Sequence, residues 1–486
     1  MRTERFRPHS LLNRGLFLGL LLLLVWVPLP LGSNRAWSLA MLEVWVFLLG
    51  ALALLGWAVR PGQFSRNLRH EWQVLALLLL GLLYLGLQLL PIPLSLLEFI
   101  APAKARWWQA SQAVTAAETV RLAASWSAAI AAALEQCAYV VVFCLTLVLV
   151  DTVKRLRMVI YTMIGVTVFE AVYGLTAFFM RDSFMLWTPP WLGHHWATGT
   201  FINKNHYAAN LSFGIALTLG LCLSFVAAQP YRRWHLRAKR IAEHMSGALL
   251  NPGYLRFGLL LALFTAFFFA QSRGALLAFT AAAGSLLACG AYWRGYRERS
   301  RPSTAAPSAE IRVLPWLFAS AALAAVWLNS SALFTRLLPA ELHDSGRVIT
   351  WLQTWSMWLD HWCFGVGNGS FQYVFTHYKV AALDGHLYDY AHNDHLQLLA
   401  EQGVIGAGLF LAFFLLCTGR MLAAYGKRAR SHGDQGVLLG IAIAVSAFFL
   451  HGFVDFNFHI PANALWFYTL MALGLVAARR IVQGVS

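Results

Sequence analysis

Charged side chains are scarce in this sequence. Only 12% of its 486 residues are Asp, Glu, Lys or Arg, whereas 59% are apolar and the mean hydropathy is +0.59. Soluble globular domains carry about 25% charged residues, so this composition lies far outside their range. The scarcity of charge excludes a soluble enzyme or binding module and predicts an integral membrane protein.

Several motifs of intracellular chemistry are missing as well. The chain has no P-loop, no CxxC pair and no DxD pair of carboxylates. Without a DxD pair, metal-assisted chemistry on a cytosolic nucleotide sugar is weakened as a hypothesis. Cysteine is also rare, and five of the six cysteines fall within long apolar runs. No disulfide framework is therefore expected.

Long apolar runs recur along the whole chain. A helix needs roughly 20 apolar residues to cross about 30 Å of hydrocarbon. The predicted fold class is all-α: a polytopic membrane protein of about twelve transmembrane helices, with a long periplasmic loop containing amphipathic helices between spans nine and ten. The predicted spans are residues 15–32, 37–59, 72–92, 128–150, 158–180, 206–228, 255–271, 274–293, 313–334, 402–424, 436–455 and 460–478.

Basic residues sort to one side of these spans. With the N-terminus inside, most of the 37 lysines and arginines fall in the cytoplasmic connections. The positive-inside rule then predicts that both termini are cytoplasmic. Because the net charge of +16 follows from this topology, it does not indicate a nucleic-acid partner.

One arginine departs from this charge sorting. Arg273 lies in the short outside turn of FFFAQSRGALLAF, between two apolar runs. An arginine costs about 3 kcal/mol at the bilayer centre on insertion scales, and less at the rim. An arginine in this position therefore indicates a binding site for an anion. The alternative is a side chain that reaches water and caps the preceding helix, because cations suit helix C-termini.

The longest outside segment, residues 335–401, begins with an aromatic helix. Asp344 and Ser345 can cap a helix that starts near Arg347, and the glycines of FGVGNGSF at 364–371 predict a tight turn after it. A stripe of tryptophans at helical spacing predicts that this helix rests on the membrane surface. The stripe consists of Trp351, Trp355, Trp358 and Trp362.

Titratable residues gather at the end of that segment. His392 and His395 are three residues apart, so they are predicted to share a helical face, which suits proton handling above the bilayer. Two alternatives stay open: the polar residues cap a helix, or the histidines hold a divalent metal with Asp389 or Asp394. Because cations are available for charge stabilisation, no metal is predicted.

Five stretches, taken together, resemble the O-antigen ligase and O-antigen polymerase superfamily of bacterial membrane glycosyltransferases. They lie in the expected order and membrane positions from about residue 199 to the C-terminus. The stretches are GTFINKNHYAANL at 199–211, QSRGAL at 271–276, SGRVITWLQTWSMWLDHWCFGVGNGSF at 345–371, AHNDHLQLLAEQGVIG at 391–406 and HGFVDFNFHIPANA at 451–464.

The resemblance implies transfer of a glycan from an undecaprenyl pyrophosphate carrier to an acceptor hydroxyl, with inversion, at the periplasmic face of the bacterial inner membrane. Expected partners are the lipid-linked glycan, membrane lipids and an acceptor that is a glycolipid, a polysaccharide or a protein hydroxyl. No nucleotide or metal cofactor is expected. An already activated pyrophosphate needs only cations, a base near the acceptor and exclusion of water.

The resemblance also implies roles for individual residues. Arg273 matches the arginine of a serine-arginine-glycine motif that holds the pyrophosphate, Arg347 matches the basic residue of the loop helix, and His392 matches the histidine that activates or orients the acceptor. The expected pyrophosphate-binding residues are Lys204, Arg273 and Arg347, and the expected catalytic residues are His392, Arg273 and Arg347. Lys204 matches a basic residue at the mouth of the next span, where lysine lacks the two-pronged grip of arginine. Possible supporting residues are Asn203, His206, Asn393, Asp394, His395 and Asp455.

Two further interpretations stay open. His451, Asp455 and His459 flank the last outside turn, where a structural polar cluster is favoured over catalysis. A transporter or flippase of lipid-linked glycans is the alternative function, although neither an internal repeat nor midplane polar sites are evident. The predicted units are spans 1–5 and their loop at 1–198, spans 6–9 at 199–334, the catalytic loop at 335–401, and spans 10–12 at 402–486.

Overall fold

The computed structural model describes residues 11–59, 65–112, 120–180, 196–228, 252–298, 346–383, 385–427 and 432–484. Over these ranges the chain is mainly helical. The helices are α1 (Leu11–Trp26), α2 (Ala36–Val59), α3 (Ser65–His70), α4 (Trp72–Leu89), α5 (Leu94–Ile100), α6 (Pro102–Gln112), α7 (Trp126–Leu149), α8 (Val153–Phe179), α9 (Lys204–Ala228), α10 (Pro252–Phe269), α11 (Arg273–Glu298), α12 (Gly346–Asp360), α13 (Phe371–Phe375), α14 (Asp394–Tyr425), α15 (His432–His451) and α16 (Pro461–Gln483).

Every predicted span but one coincides with a described helix. Nine of the described helices are long and apolar enough to cross a membrane, and two further apolar helices, Leu11–Trp26 and Leu255–Phe269, are shorter. The prediction of an all-α polytopic membrane protein is confirmed. The predicted span at 313–334 lies outside the described residues, as does the predicted cap at Asp344 and Ser345.

Several loops that the positive-inside rule assigns to the same side of the membrane meet at one end of the helix bundle. The N–H of Ala197, just before α9, donates to the carbonyl of Phe269 at the end of α10, at 2.9 Å. The N–H of Ala124, before α7, donates to the carbonyl of Val366, which follows α12, at 2.8 Å. These connections therefore share one face, which also carries α12 and the start of α14.

Helices α9 and α15 form the closest pair in the bundle. A Cβ at Gly220 would collide with the carbonyl of Gly436 and lie 2.9 Å from the Cα of Gly440. The hydroxyl of Ser224 also donates to the carbonyl of Gly433, at 3.1 Å. Small residues let helix backbones approach closely in membranes. This contact joins the last part of α9 to the first part of α15. At the opposite end of the pair, the side-chain amide of Asn205 donates to Asp455 in the turn that follows α15.

Helix α14 is interrupted where the glycine turn meets it. Gly403 has φ of +62° and ψ of −170°, and a Cβ there would collide with the carbonyl of Cys363. Gly365, Gly367 and Gly369 all have positive φ, which side chains other than hydrogen strongly disfavour. The predicted tight turn is confirmed. The glycine turn packs against the interruption at Gly403 and holds the first part of α14 in place.

Lys104 anchors the same turn from the other side. Its side chain is only 2% exposed. The ammonium donates to the carbonyl of Leu122 and to that of Gly365, the latter at 2.9 Å. Burial lowers the pKa of Lys104 to about 7. The lysine therefore acts as a buried tie between α6 and the glycine turn.

Replacing Lys104 with methionine is expected to destabilise the protein by about 1–3 kcal/mol, because two buried carbonyls lose their donor. Lys379→Met is the matched control, since the ammonium of Lys379 donates to the carbonyl of His386 at the surface. Denaturant unfolding in mild detergent would measure both. Equal stability of the Lys104→Met variant and the wild type would contradict the anchoring role.

Candidate active site

A buried carboxylate lies at the centre of the candidate site. Asp455, in the turn between α15 and α16, is 1% exposed. Its Oδ1 faces Nε2 of His206 at 3.6 Å and Nδ1 of His392 at 3.9 Å. The carboxylate also accepts hydrogen bonds from the side-chain amide of Asn205 and from the N–H of Phe456, the latter at 2.9 Å. Three predicted site residues from distant stretches thus meet here.

Asp455 is held in its ionised form. Burial by itself would raise the pKa of this carboxyl group. The imidazole of His206, the imidazole of His451 and the N–H of Phe456 act in the opposite direction, and together they hold the pKa of Asp455 well below its usual range. The site therefore contains a fixed negative charge beneath its imidazoles.

His392 lies just before α14 and outside the helix. Its φ is +52°, and the helix begins after Asn393, whose side chain accepts from the N–H of Leu396 at 3.0 Å. The carbonyl of His392 accepts from the indole N–H of Trp351 at 3.3 Å. The prediction that His392 and His395 share a helical face was therefore wrong.

The side chain of His392 is half-buried and faces Asp455. It is 30% exposed, and its ring packs edge-on against Phe456 with centroids 4.8 Å apart. Burial lowers the pKa of His392, the positive charge of Arg347 lowers it further, and Asp455 partly opposes this effect. These effects favour the neutral form of the imidazole, which can accept a proton.

His395 faces a different part of the bundle. Its Nε2 lies 2.8 Å from the carbonyl of Phe449, to which it can donate. The ring packs between Phe449 and Phe453, with centroid distances of 4.4 and 4.2 Å. The structure does not bring His395 into the group around Asp455, and the two histidines of the predicted pair do not converge on one ligand position.

Asp394 pairs with His459 behind the Asp455 group. Oδ1 of Asp394 lies 2.9 Å from Nδ1 of His459, and the backbone N–H of Asp394 donates to the carbonyl of Gly452 at 2.7 Å. Burial lowers the pKa of His459, but the hydrogen bond and charge of Asp394 outweigh it, so the net pKa is raised. Of the turn between α15 and α16, His459 thus belongs to a structural ion pair and Asp455 to the candidate site.

Two arginines lie next to the turn that carries Asp455. Arg347, exposed on α12, places its guanidinium Nη1 3.5 Å from the carbonyl of Val454. Arg273 is the exposed first residue of α11, and a Cβ at the adjacent Gly274 would lie 2.7 Å from Val454 and 3.3 Å from His451. The start of α11 and the start of α12 therefore flank the same turn.

Lys204 and Asn203 lie at the start of α9. The ammonium of Lys204 is 4.0 Å from the centroid of the Trp196 ring, a cation–π contact. The side chain of Asn203 accepts from the N–H of Asn205 at 2.8 Å, which orients the segment that reaches Asp455. Asn203 is therefore linked to the Asp455 group through Asn205, and the ammonium of Lys204 lies against an indole.

Phe456 is a part of the site that the sequence did not reveal. Its ring contacts His206 at 4.6 Å, His392 at 4.8 Å and Tyr390, on which it stacks, at 4.5 Å. The chain contains 33 phenylalanines, and nothing in the spacing of this one marks it. Asn205 could have been found, because it adjoins His206 in the same polar stretch.

Part of the chain matches a known protein family. A family model described as O-antigen ligase matches residues 258–411, about a third of the chain. The matched range includes Arg273, Arg347 and His392, whereas His206 and Asp455 lie outside it. No curated protein matches the chain. The resemblance to the O-antigen ligase and polymerase superfamily is thus confirmed, and it supports a glycosyltransferase of the O-antigen ligase type in general.

Proposed function

We propose that this protein is an inverting glycosyltransferase of the bacterial inner membrane. It moves a glycan from undecaprenyl pyrophosphate to an acceptor hydroxyl at the periplasmic face, with both termini in the cytoplasm. One observation carries the proposal: a neutral, half-exposed imidazole lies over a buried carboxylate, beside two exposed arginines, at one end of the helix bundle.

His392 is the base of the proposed reaction. Its Nδ1 has no hydrogen-bond partner among the described residues and faces Asp455 at 3.9 Å. A proton on Nδ1 would be stabilised by that carboxylate, which leaves the lone pair of Nε2 for the acceptor hydroxyl. Catalytic hydrogen bonds are often long without substrate and tighten when it binds. Asp455 is therefore a positioning residue that sets the tautomer of His392.

Arg273 and Arg347 are the cations of the proposed reaction. A pyrophosphate leaving group carries negative charge that grows as its bond to the sugar breaks, and guanidinium groups can grip two phosphate oxygens at once. Arg273 also begins a helix, where free N–H groups and the helix dipole favour anions. The lipid pyrophosphate would lie between these residues, next to Val454.

The proposed step is a single displacement. The acceptor oxygen forms a bond to the anomeric carbon as the bond from that carbon to the pyrophosphate oxygen breaks. The electron pair leaves with undecaprenyl pyrophosphate, and the acceptor proton passes to Nε2 of His392. Because the acceptor attacks opposite the leaving group, the configuration at the anomeric carbon inverts.

Stereochemistry tests this proposal directly. The purified protein in proteoliposomes would receive a synthetic undecaprenyl-pyrophosphate glycan of known anomeric configuration and a panel of glycolipid, polysaccharide and peptide acceptors. We expect acceptor-dependent release of undecaprenyl pyrophosphate and a product of opposite configuration, seen by NMR, with Asp455→Asn much slower. Retention of configuration would contradict a single displacement.

The pH dependence of transfer should respond in opposite directions to two substitutions. The base acts when neutral, so kcat/KM falls on the acid side with the pKa of His392, which burial and the charge of Arg347 lower. Arg347→Gln removes a charge that lowers this pKa, so the acid limb should move to higher pH. Asp455→Asn removes a charge that raises it, so the limb should move to lower pH.

These shifts would be read from kcat/KM between about pH 4.5 and 9, the range over which an imidazole titrates. Arg106→Gln is the control, because Arg106 is exposed on α6 and does not contribute to the pKa of His392. It should leave the profile unchanged. Shifts of the same sign in both test variants would mean that another group sets the acid limb.

The proposed topology predicts where an added thiol can be labelled. Leu387, 91% exposed in the long loop, would be replaced by cysteine in a Cys363→Ala background. An impermeant thiol reagent should label it in intact spheroplasts. Lys427→Cys, between α14 and α15, should be labelled only after lysis. The reverse pattern would overturn the assignment of the periplasmic face.

A further inference from the structure

A cavity of about 200 Å³ extends from the turn at His459 into the bundle, between α4, α7, α14 and α16. We propose that this cavity is a second ligand site, which takes the neutral, hydroxyl-bearing head of an amphiphile together with the first part of its aliphatic chain. The proposal concerns binding alone and does not rest on the proposed transferase activity.

The cavity is separate from the group around Asp455. Tyr390 lines the cavity and stacks on Phe456 with ring centroids 4.5 Å apart. The same Phe456 ring contacts His392 at 4.8 Å, and His392 does not line the cavity. One phenylalanine ring thus lies between the cavity and the proposed base.

One part of the cavity is polar. The side-chain amide of Gln136 donates to the hydroxyl of Tyr468 at 2.6 Å, and the hydroxyl of Tyr139 donates to Glu135. The polar residues of the lining include both hydrogen-bond donors and hydrogen-bond acceptors. The polar lining residues are Glu135, Gln136, Tyr139, Asn368, Tyr390, Asp394, His395, Glu401, Gln402, His459 and Tyr468.

The charges of this lining select against a phosphorylated ligand. No lysine or arginine is among the residues that line the cavity, whereas two arginines lie beside the candidate active site. A phosphate would meet carboxylates without a guanidinium or ammonium to pair with it, and the imidazole of His459 is already paired with Asp394. An unpaired charge in a low-dielectric site is costly. Uncharged hydroxyl groups match a lining of amides, phenols and carboxylates.

A cationic head is disfavoured because most of the acidic groups already have partners. Asp394 is paired with His459 at 2.9 Å. Glu401 accepts from the N–H of Phe371 at 3.0 Å and from the side chain of Gln397 at 3.5 Å. Glu135 accepts from the hydroxyl of Tyr139. One carboxylate in a set of neutral donors and acceptors fits a hydroxyl group.

The other part of the cavity is apolar. It is lined by leucines of α4 and by phenylalanines of α14, among them Leu82 and Phe413. Gly81 also lines it, and a Cβ at Gly81 would meet nothing within 4 Å. An ionisable residue such as Glu135 inside a membrane segment marks a functional site by default. Here it lies between polar and apolar walls, as an amphiphile requires.

Photolabelling of the full-length protein in nanodiscs tests the proposal. Three probes would share one dodecyl chain that carries a diazirine, and they would end in glucose, in phosphate or in trimethylammonium. We expect saturable labelling of the α4 and α14 segments by the glucoside, and at least about tenfold weaker apparent affinity for the other two probes, which corresponds to about 1.4 kcal/mol. Equal or stronger labelling of these segments by either charged probe would overturn the proposal.

Two variants give the test its controls. Gly81→Leu fills the cavity and Glu135→Gln removes one of its carboxylates, so each should weaken glucoside labelling several-fold. Gly86→Leu is the matched control, because Gly86 lies on the same helix, also has open space around its Cβ and does not line the cavity. Labelling that falls equally in the Gly86→Leu and Gly81→Leu variants, or in neither, would contradict the site.

Discussion

Replacing His392 with alanine is expected to lower the rate of glycan transfer by about 10²- to 10⁴-fold, the usual contribution of a general base. The variant should fold and bind the lipid-linked donor, because the arginines that would hold the pyrophosphate are unchanged. Lipid-linked glycan should therefore accumulate in cells that carry only this variant. Single-turnover transfer in proteoliposomes and donor binding would separate the chemical step from binding.

The other loop histidines provide the comparison. His395→Ala should cost stability, because His395 packs between Phe449 and Phe453, but transfer by the folded fraction should stay within a few-fold of the wild type. His377→Ala and His386→Ala should be milder still. If His392→Ala keeps more than about a tenth of the wild-type rate, binding by the arginines must carry the catalysis.

Replacing Arg273 with lysine is expected to remove most transfer activity, by about 10² to 10³-fold, although the charge is preserved. An ammonium acts as a point charge, whereas the planar guanidinium can hold two phosphate oxygens in fixed geometry. The loss should appear both in the apparent affinity for the lipid-linked donor and in the rate of the chemical step.

Arg106→Lys is the matched control for this substitution, since Arg106 is an exposed arginine of α6. It should be close to wild type in both measurements. Near-normal transfer by the Arg273→Lys variant would favour the alternative, in which Arg273 only reaches water from a helix end. The pyrophosphate would then have to be held by Arg347 and Lys204.

The fold followed from hydropathy because each membrane helix must satisfy its backbone groups within one long apolar segment. Helix ends were less predictable. The first span was expected at 15–32, but α1 ends at Trp26 and Leu31–Ser33 forms a separate turn. The tenth was expected to start at 402, but α14 begins at Asp394 and is interrupted at Gly403. The interruption at Gly403 results from its contact with the glycine turn. A tertiary contact of this kind cannot be inferred from the hydrophobic periodicity of the sequence.

The candidate site was only partly predictable. Arg273, Arg347 and His392 stand in recognisable motifs, and the structure brings the two helix starts and the histidine to one turn. The position of Asp455 beneath His392 depends on how α9, α14 and α15 pack. The spacing of residues in the sequence does not contain this information, and it favoured a structural role for Asp455. The prediction that His392 and His395 share a helical face was wrong because Asn393 caps the helix, which begins after His392.

The sidedness of accumulated lipid-linked glycan tests the central claim most directly. Cells would carry His392→Ala as their sole copy, and the glycan would be oxidised with membrane-impermeant periodate in intact spheroplasts and after lysis. A transferase at the periplasmic face predicts that the accumulated glycan is oxidised in intact spheroplasts, while wild-type cells hold little. Accumulation that is reached only after lysis would contradict the account and indicate a flippase.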